Sequence, residues 1–363
     1  RPFAEVGMTD MIPAFEVPPH AEPRRPWRRT GRTVLLNGGV VVVSGVLGAT
    51  IVALTGLAGA LGWFVATILV LPPIAGAVEM NRGMRAVTSR IVGASVLMMF
   101  TSVALPWVSI IWTVISRGAK AFYNGFLTTD MLVNSPDDPL NLGGASHAII
   151  GTLLIVVMAS LLAVPLGIVT AVYIVEVRGK AARYVRFFTQ AMSGVPSIVA
   201  GLFIYATVVV AVTHKFNAVA GALALSILML PTVARTAEEV LKVVSDDLRS
   251  ASYALGATQF STTWRVVIPT VRSGLITSAV LGVARVAGET APLLLTSQYF
   301  VKFTTNVIDG PMASLPTYVF ANLGVGSENS VSRAWAGSTV LLALIFVLFI
   351  TARLIGGRNK KVR

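Results

Sequence analysis

The sequence predicts an all-α protein: a polytopic membrane helix bundle of about eight transmembrane helices, with a pair of short helices on one face. Three observations carry this. Hydrophobic residues fill 55% of the 363 positions and charged residues only 12%, about half the charge of an ordinary soluble domain. Eight apolar stretches approach the roughly 20 residues that cross a hydrocarbon core, where a helix bonds all of its own backbone groups. Lys and Arg then divide unevenly between the two sides.

The stretches fall at about 33–54, 57–78, 91–115, 148–174, 191–212, 217–233, 272–295 and 335–355. Only the Thr55-Gly56 region separates the first two, which predicts a tight N-terminal hairpin over 33–80. Pro106, Pro165, Pro196 and Pro292 lie in apolar runs and are expected to kink their helices. The segments 116–147 and 296–334 are long loops. With the N-terminus in the cytoplasm, 23 of the 29 Lys and Arg fall in cytoplasmic pieces. Five fall outside: Arg117, Lys120, Lys215, Lys302 and Arg333. That excess places both termini inside and favours an even number of spans. It also accounts for the net charge of +13 without nucleic acid as a partner. Residues 1–32 are polar and Pro-rich, end in PRRPWRRTGR, and read as a partly disordered cytoplasmic tail. A surface helix around Trp27 is a second reading of that stretch. Residues 359–363 form a basic tail.

Between two spans lies a charged interlude, with a cytoplasmic coupling region expected over 234–269. Ser245 suits an N-cap, and Asp246 and Asp247 fall where the helix dipole favours acids. Gly256 suits the stop. A second short helix is expected from Thr258 to just before Pro269. The product is a glycine-jointed elbow. Small residues Ser250, Ala251 and Ser252 would let a partner approach it closely. An ordinary amphipathic connector is the plainer reading of the same residues.

The interlude resembles a pattern in the permease subunits of ABC importers: Glu-Ala-Ala, three residues, Gly, nine residues, then Ile-x-Leu-Pro. Here Ser250-Ala251-Ser252 precedes Gly256, and Val266-Val267-Ile268-Pro269 follows at the same spacing. Ser250 replaces the acid. The runs SGVPSIVAGLF (193–203), LPTVARTAEEVL (230–241), ALGATQFSTTWRVVIP (254–269) and ARVAGETAPLLLT (284–296) are similar to the permeases of phosphate importers, the PstA type. The resemblance implies a six-helix permease core over 85–358, with the hairpin 33–80 as an addition. It implies docking to an ATPase through Ser250, Ala251, Ser252, Tyr253, Leu255, Gly256, Ala257 and Phe260. It implies a second, PstC-like permease as heterodimer partner, a PstB-like ATP-binding dimer that uses ATP and Mg, and a PstS-like extracytoplasmic phosphate-binding protein, all at a bacterial cell membrane.

Arg285 lies inside the apolar run 272–295. A charge at the bilayer centre costs about 2.5–3.5 kcal/mol on insertion scales, so it must face protein or water. Glu289 follows at four residues, which on a continuous helix shares its face. The pair reads either as a tie between helices or as an anion relay in which Glu289 releases what Arg285 holds. A guanidinium can grip a phosphate with two parallel hydrogen bonds. Ser193, Ser197 and Thr290 offer hydroxyls to the same pathway. Arg235, Glu238 and Glu239 read as an interfacial helix pair, and Glu176 with Arg178 as an inner loop. His20, His147 and His214 have no metal-ligand spacing, and with no cysteine no metal or redox site is expected. No G-x-x-x-x-G-K-[ST] run occurs; Gly179-Lys180 is followed by Ala181. The chain is therefore expected to bind no cofactor and to be a permease, not an enzyme. A permease for sulfate or molybdate, or an ion-coupled carrier, are the alternatives.

Overall fold

The computed structural model describes residues 31–56 and 59–357. Most of the tail 1–32, including Trp27 and His20, and the tail 359–363 lie outside the described residues. Two compact units divide at Val108 and Ser109.

The first unit contains α1 (Gly31–Thr55), α2 (Gly59–Ala77) and the start of α3 (Met84–Lys120). Without a hydrophobic drive between helices in lipid, close approach must come from small residues. Gly48 lies against Thr67, where a Cβ would collide with the side-chain hydroxyl and press on the backbone. Trp63 Nε1 donates to the carbonyl of Gly45 at 3.0 Å. Val40, Leu71 and Ala75 form the small core, with Ala94 and Met98 packed on it.

The second unit is built on α4 (Ser146–Val172) and α7 (Ala218–Lys242), which pack along each other. Gly167 of α4 faces the Val233 side chain, and Ser226 donates to the carbonyl of Ala159 at 3.3 Å. Asn217 caps α7, accepting from the Ala220 N–H at 2.8 Å. A π-turn, Tyr173–Val177, ends α4, and Arg178 closes it at φ 52. Then come α5 (Ala182–Ser193), α6 (Ser197–Ile204, continued as π-helix to Thr213), α8 (Asp246–Ala254), α9 (Gln259–Thr262), α10 (Ile268–Thr270), α11 (Arg272–Ala287), α12 (Ala291–Thr296), α13 (Leu315–Val325) and α14 (Glu328–Gly357).

Among the described residues, five helices are long and apolar enough to cross a membrane, and two bent pairs bring the number to seven. The eighth expected span, α2, has a shorter apolar stretch, Leu61–Ala77. Two expected kinks are breaks instead. α5 and α6 bend by 102°, with Pro196 as the N-cap of α6. α11 stops at Ala287, and Pro292 sits in the first turn of α12. Proline lacks an N–H, so it is tolerated in a first turn where that donor has no partner anyway. Pro106 and Pro165 stay inside α3 and α4. Pro269 does not end the elbow's second helix either: a π-turn, Thr263–Val267, leads into α10, and the bend of 74° comes only before Arg272. The expected loop 296–334 holds α13, opened by a capping box between Ser314 and Thr317.

Candidate functional site

Arg285 sits in the last turn of α11, where a cation complements the dipole. Its Nη1 donates to Thr232 Oγ1 of α7 at 2.9 Å. Gly282, one turn earlier, lies against Met229 and Val233, so α11 seats closely on α7 at this level. Arg285 opens onto a cavity of about 930 Å³ between α5, α7 and α11. Ser193, Gln190 and Arg186 line it from α5, and Thr232, Arg235 and Lys242 from α7.

The charges in this cavity are not equivalent. Glu238 is held by Arg186 at 3.0 Å and by Lys242 at 2.9 Å. Glu239 pairs with Lys242 at 2.8 Å. Among the described residues, Arg285 and Arg235 make no ion pair. Two guanidiniums thus line the open space without a direct ion pair, although the Arg235 charge also acts on Glu239, while both acids are paired on the side. Such a cavity favours an anion over water on one wall; the Thr232 and Ser193 hydroxyls beside it donate to Leu228 O at 3.4 Å and Thr189 O at 3.1 Å.

Several expectations need correction. Glu289 does not share a helix face with Arg285, because α11 ends at Ala287 and Glu289 lies in the break before α12. No ion pair joins them among the described residues, and Glu289 is not among the lining residues. Ser197 begins α6 and Thr290 is the N-cap of α12, and neither lines the cavity. Arg235 and Glu238 are cavity residues, not an isolated interfacial pair, because α7 runs on to Lys242.

The elbow forms as its residues dictate. Ser245 is the N-cap of α8, though its side chain makes no capping bond. Gly256 takes φ 82. The Ala257 N–H bonds to Ser252 O and the Gly256 N–H to Tyr253 O, a Schellman stop. Thr258 caps α9 through the Ser261 N–H. Ser250, Ala251, Tyr253, Leu255, Gly256 and Phe260 are exposed, Leu255 at 89% and Phe260 at 73%. Ala257 is half-buried. Ser252 is the exception: it is buried, with its hydroxyl on Thr262 at 2.9 Å, so it joins the two elbow helices and presents nothing outward.

Two buried arginines carried no sequence signal. Arg249 of α8 binds Glu176 at 2.7 Å, and this bond holds its pKa above the usual guanidinium value. Glu176 is buried in the π-turn of α4, not in an open loop. Arg333, expected in an external loop, is buried in α14 and donates to four backbone carbonyls, those of Pro136, Asp138, Pro139 and Leu142. His147 is buried beside Tyr299 and Tyr318. No group of three metal-ligating side chains exists among the described residues.

Residues 163–361 match the family described as binding-protein-dependent transport system inner membrane component. The chain is 38% identical over 258 residues to the phosphate transport system permease protein PstA 1 of Mycobacterium tuberculosis, covering 70% of this chain and 83% of the relative. It is 38% identical to PstA of Mycobacterium leprae over 68% of this chain and 82% of the relative. It is 34% identical to PstA of Pasteurella multocida over 69% of this chain and 88% of the relative. A solved structure of the MetNI methionine ABC transporter in an inward-facing conformation aligns with 59% of this chain and 93% of its own at 18% identity and a TM-score of 0.48. By the family match and by these identities over most of each relative's length, the chain is an integral membrane protein that belongs to the binding-protein-dependent transport permeases, in the PstA family.

Proposed function

We propose that the chain is one permease subunit of an ATP-driven phosphate importer and that the cavity below Arg285 is its half of the anion pathway. The observation that carries this is the pair Arg285 and Arg235, two cations that line one cavity and make no direct ion pair among the described residues. Phosphate near neutral pH carries between one and two negative charges, and a guanidinium matches it with parallel donors. The names of the relatives support phosphate over sulfate or molybdate; the two guanidiniums suit any of these. Thr232 holds Arg285 when the anion is absent. Continuing α11 by one turn through Gly288 would bring Glu289 onto the face of Arg285, and this change of helix length is how the anion is let go.

The excess of Lys and Arg supports an orientation with both termini and the elbow in the cytoplasm. There a PstB-like ATPase, using ATP and Mg, would seat on Leu255, Phe260 and their neighbours. A PstC-like permease completes the pathway, and a PstS-like binding protein delivers phosphate on the other side. Residues 85–358 act as the permease core and 33–80 as an added hairpin.

Arg285→Gln in the assembled complex, reconstituted into vesicles, should lower phosphate uptake at least about 100-fold, with the subunits still co-purifying. Uptake at the normal rate in that variant overturns the pathway. Competition by sulfate and molybdate fixes the anion.

A further inference from the structure

The structure assigns to Arg249 and Glu176 the part of a clamp that passes movement of the elbow to the wall of the anion cavity. This rests on the permease reading above. Arg249 binds three elements at once. Its Nη2 donates to Glu176 Oε1 at 2.7 Å in the π-turn that ends α4, and Nε lies 3.2 and 3.3 Å from the two carboxylate oxygens. Its Nη2 and Nη1 also donate to the carbonyls of Leu241 at 3.1 Å and Val244 at 2.6 Å, at the end of α7. It belongs to α8 itself and keeps Asp246 at 3.2 Å. The elbow's second helix is tied to the same turn, because Gln259 Nε2 donates to the carbonyl of Glu176 at 2.6 Å.

The geometry gives this clamp a direction. Leu255 and Phe260 are the most exposed apolar residues of the elbow, whereas Arg249 and Ser252 are buried against the rest of the chain. A push on the elbow therefore cannot tilt α8 without drawing on the last turns of both α4 and α7. Those helices are locked together where Gly167 meets Val233. Thr232, which holds Arg285, is nine residues before Leu241, about 14 Å along a stiff rod. The path from elbow to anion site thus runs through one guanidinium, one helix and one hydroxyl.

Packing alone does not require this chemistry. An apolar pair of similar volume holds two helices together as well as a buried ion pair does. What the ion pair and its carbonyl bonds add is a fixed orientation. The π-turn also fits the assignment, since such turns recur where a helix serves function more than stability. Arg249 and Glu176 touch no substrate, so both are positioning residues.

The test uses the complete complex with its ATPase, second permease and binding protein in vesicles, measuring phosphate uptake and ATP hydrolysis together. Arg249→Met is expected to leave hydrolysis within about two-fold of wild type and to raise the ATP spent per phosphate at least about ten-fold. Glu176→Gln, which retains a hydrogen bond, is expected to raise that ratio about three-fold. If uptake and hydrolysis fall in parallel in Arg249→Met, or neither changes, the clamp is overturned. Should Arg249→Met fail to assemble, Glu176→Gln decides: an unchanged ratio overturns the assignment. A wild-type complex that takes up no phosphate strikes the permease reading instead, so the two failures are told apart.

Discussion

The two ends of α4 are each closed by a buried arginine, and the two closures differ in kind. At the start of α4, Arg333 binds four carbonyls of one loop, all neutral backbone acceptors. That loop is also stitched to the chain on its other side: the Met131 N–H bonds to Val301 O, and the Ser146 N–H to Thr129 O. At the far end, Arg249 binds a carboxylate in the turn that ends one helix and carbonyls in and just past the last turn of another. The first arrangement fastens one loop to α14 through neutral backbone acceptors. The second joins the ends of α4, α7 and α8 through a charged pair. One end is a lid that holds shape, and the other is a joint.

The largest effect expected from this contrast is at Arg333. Arg333→Ala leaves the half-buried carbonyls of Pro136 and Asp138 without a donor, at about 1–3 kcal/mol each, while Pro139 O keeps the Leu142 N–H and Leu142 O keeps the Tyr123 hydroxyl. Thermal unfolding in detergent should show a loss on the order of 3 kcal/mol, and a midpoint near wild type would show that this end is not a lock. Gly256→Ala comes next. Nothing lies within 4 Å of the added Cβ, so the cost is backbone strain at φ 82 alone, about 1–2 kcal/mol. If the elbow is a joint, the midpoint moves by no more than about 4 °C while retention of the ATPase subunit falls. The smallest is Asp130→Asn in the lid. Burial raises the Asp130 carboxyl, but the N–H groups of Phe303 and Leu132 outweigh it and hold the pKa below the usual range. A depressed carboxyl contributes stability above its unfolded pKa, about 3.9, and loses it as pH falls through the folded value. Wild type should therefore be slightly more stable than the variant at pH 7, and the two should converge at the acid end, below about pH 4. A constant gap across that range would exclude the carboxylate as the cause.

The sequence was informative wherever one residue type has one local meaning. Gly256 reads as a helix stop because only glycine takes φ 82 without strain, and the Schellman bonds follow from it. The apolar runs predict the helices, and the family pattern predicts the exposed side of the elbow. Prolines are ambiguous: Pro196 and Pro292 can kink a span or open a new helix, and nothing local decides. The four-residue spacing of Arg285 and Glu289 presumes a continuous helix, which Gly288 interrupts. Distant pairs leave no trace. Glu176 and Arg249 are 73 positions apart, and the acceptors of Arg333 are backbone atoms, which any residue supplies. Arg235 and Glu238 were legible as charges, but their cavity depends on the 102° turn that brings α5 beside α7.

That same turn leaves α6 short. Ser197–Thr213 contains 8 residues of α-helix and 9 of the more compressed π form, a rod of roughly 25 Å at most. The hydrocarbon layer is about 30 Å thick. Leu202, Phe203 and Val212 stand outward on this rod, so wherever lipid and not a partner helix covers it, the acyl chains must draw in to meet it. Membrane thickness therefore becomes a variable of the protein: lipids with shorter tails fit this side without distortion, and longer ones strain against it.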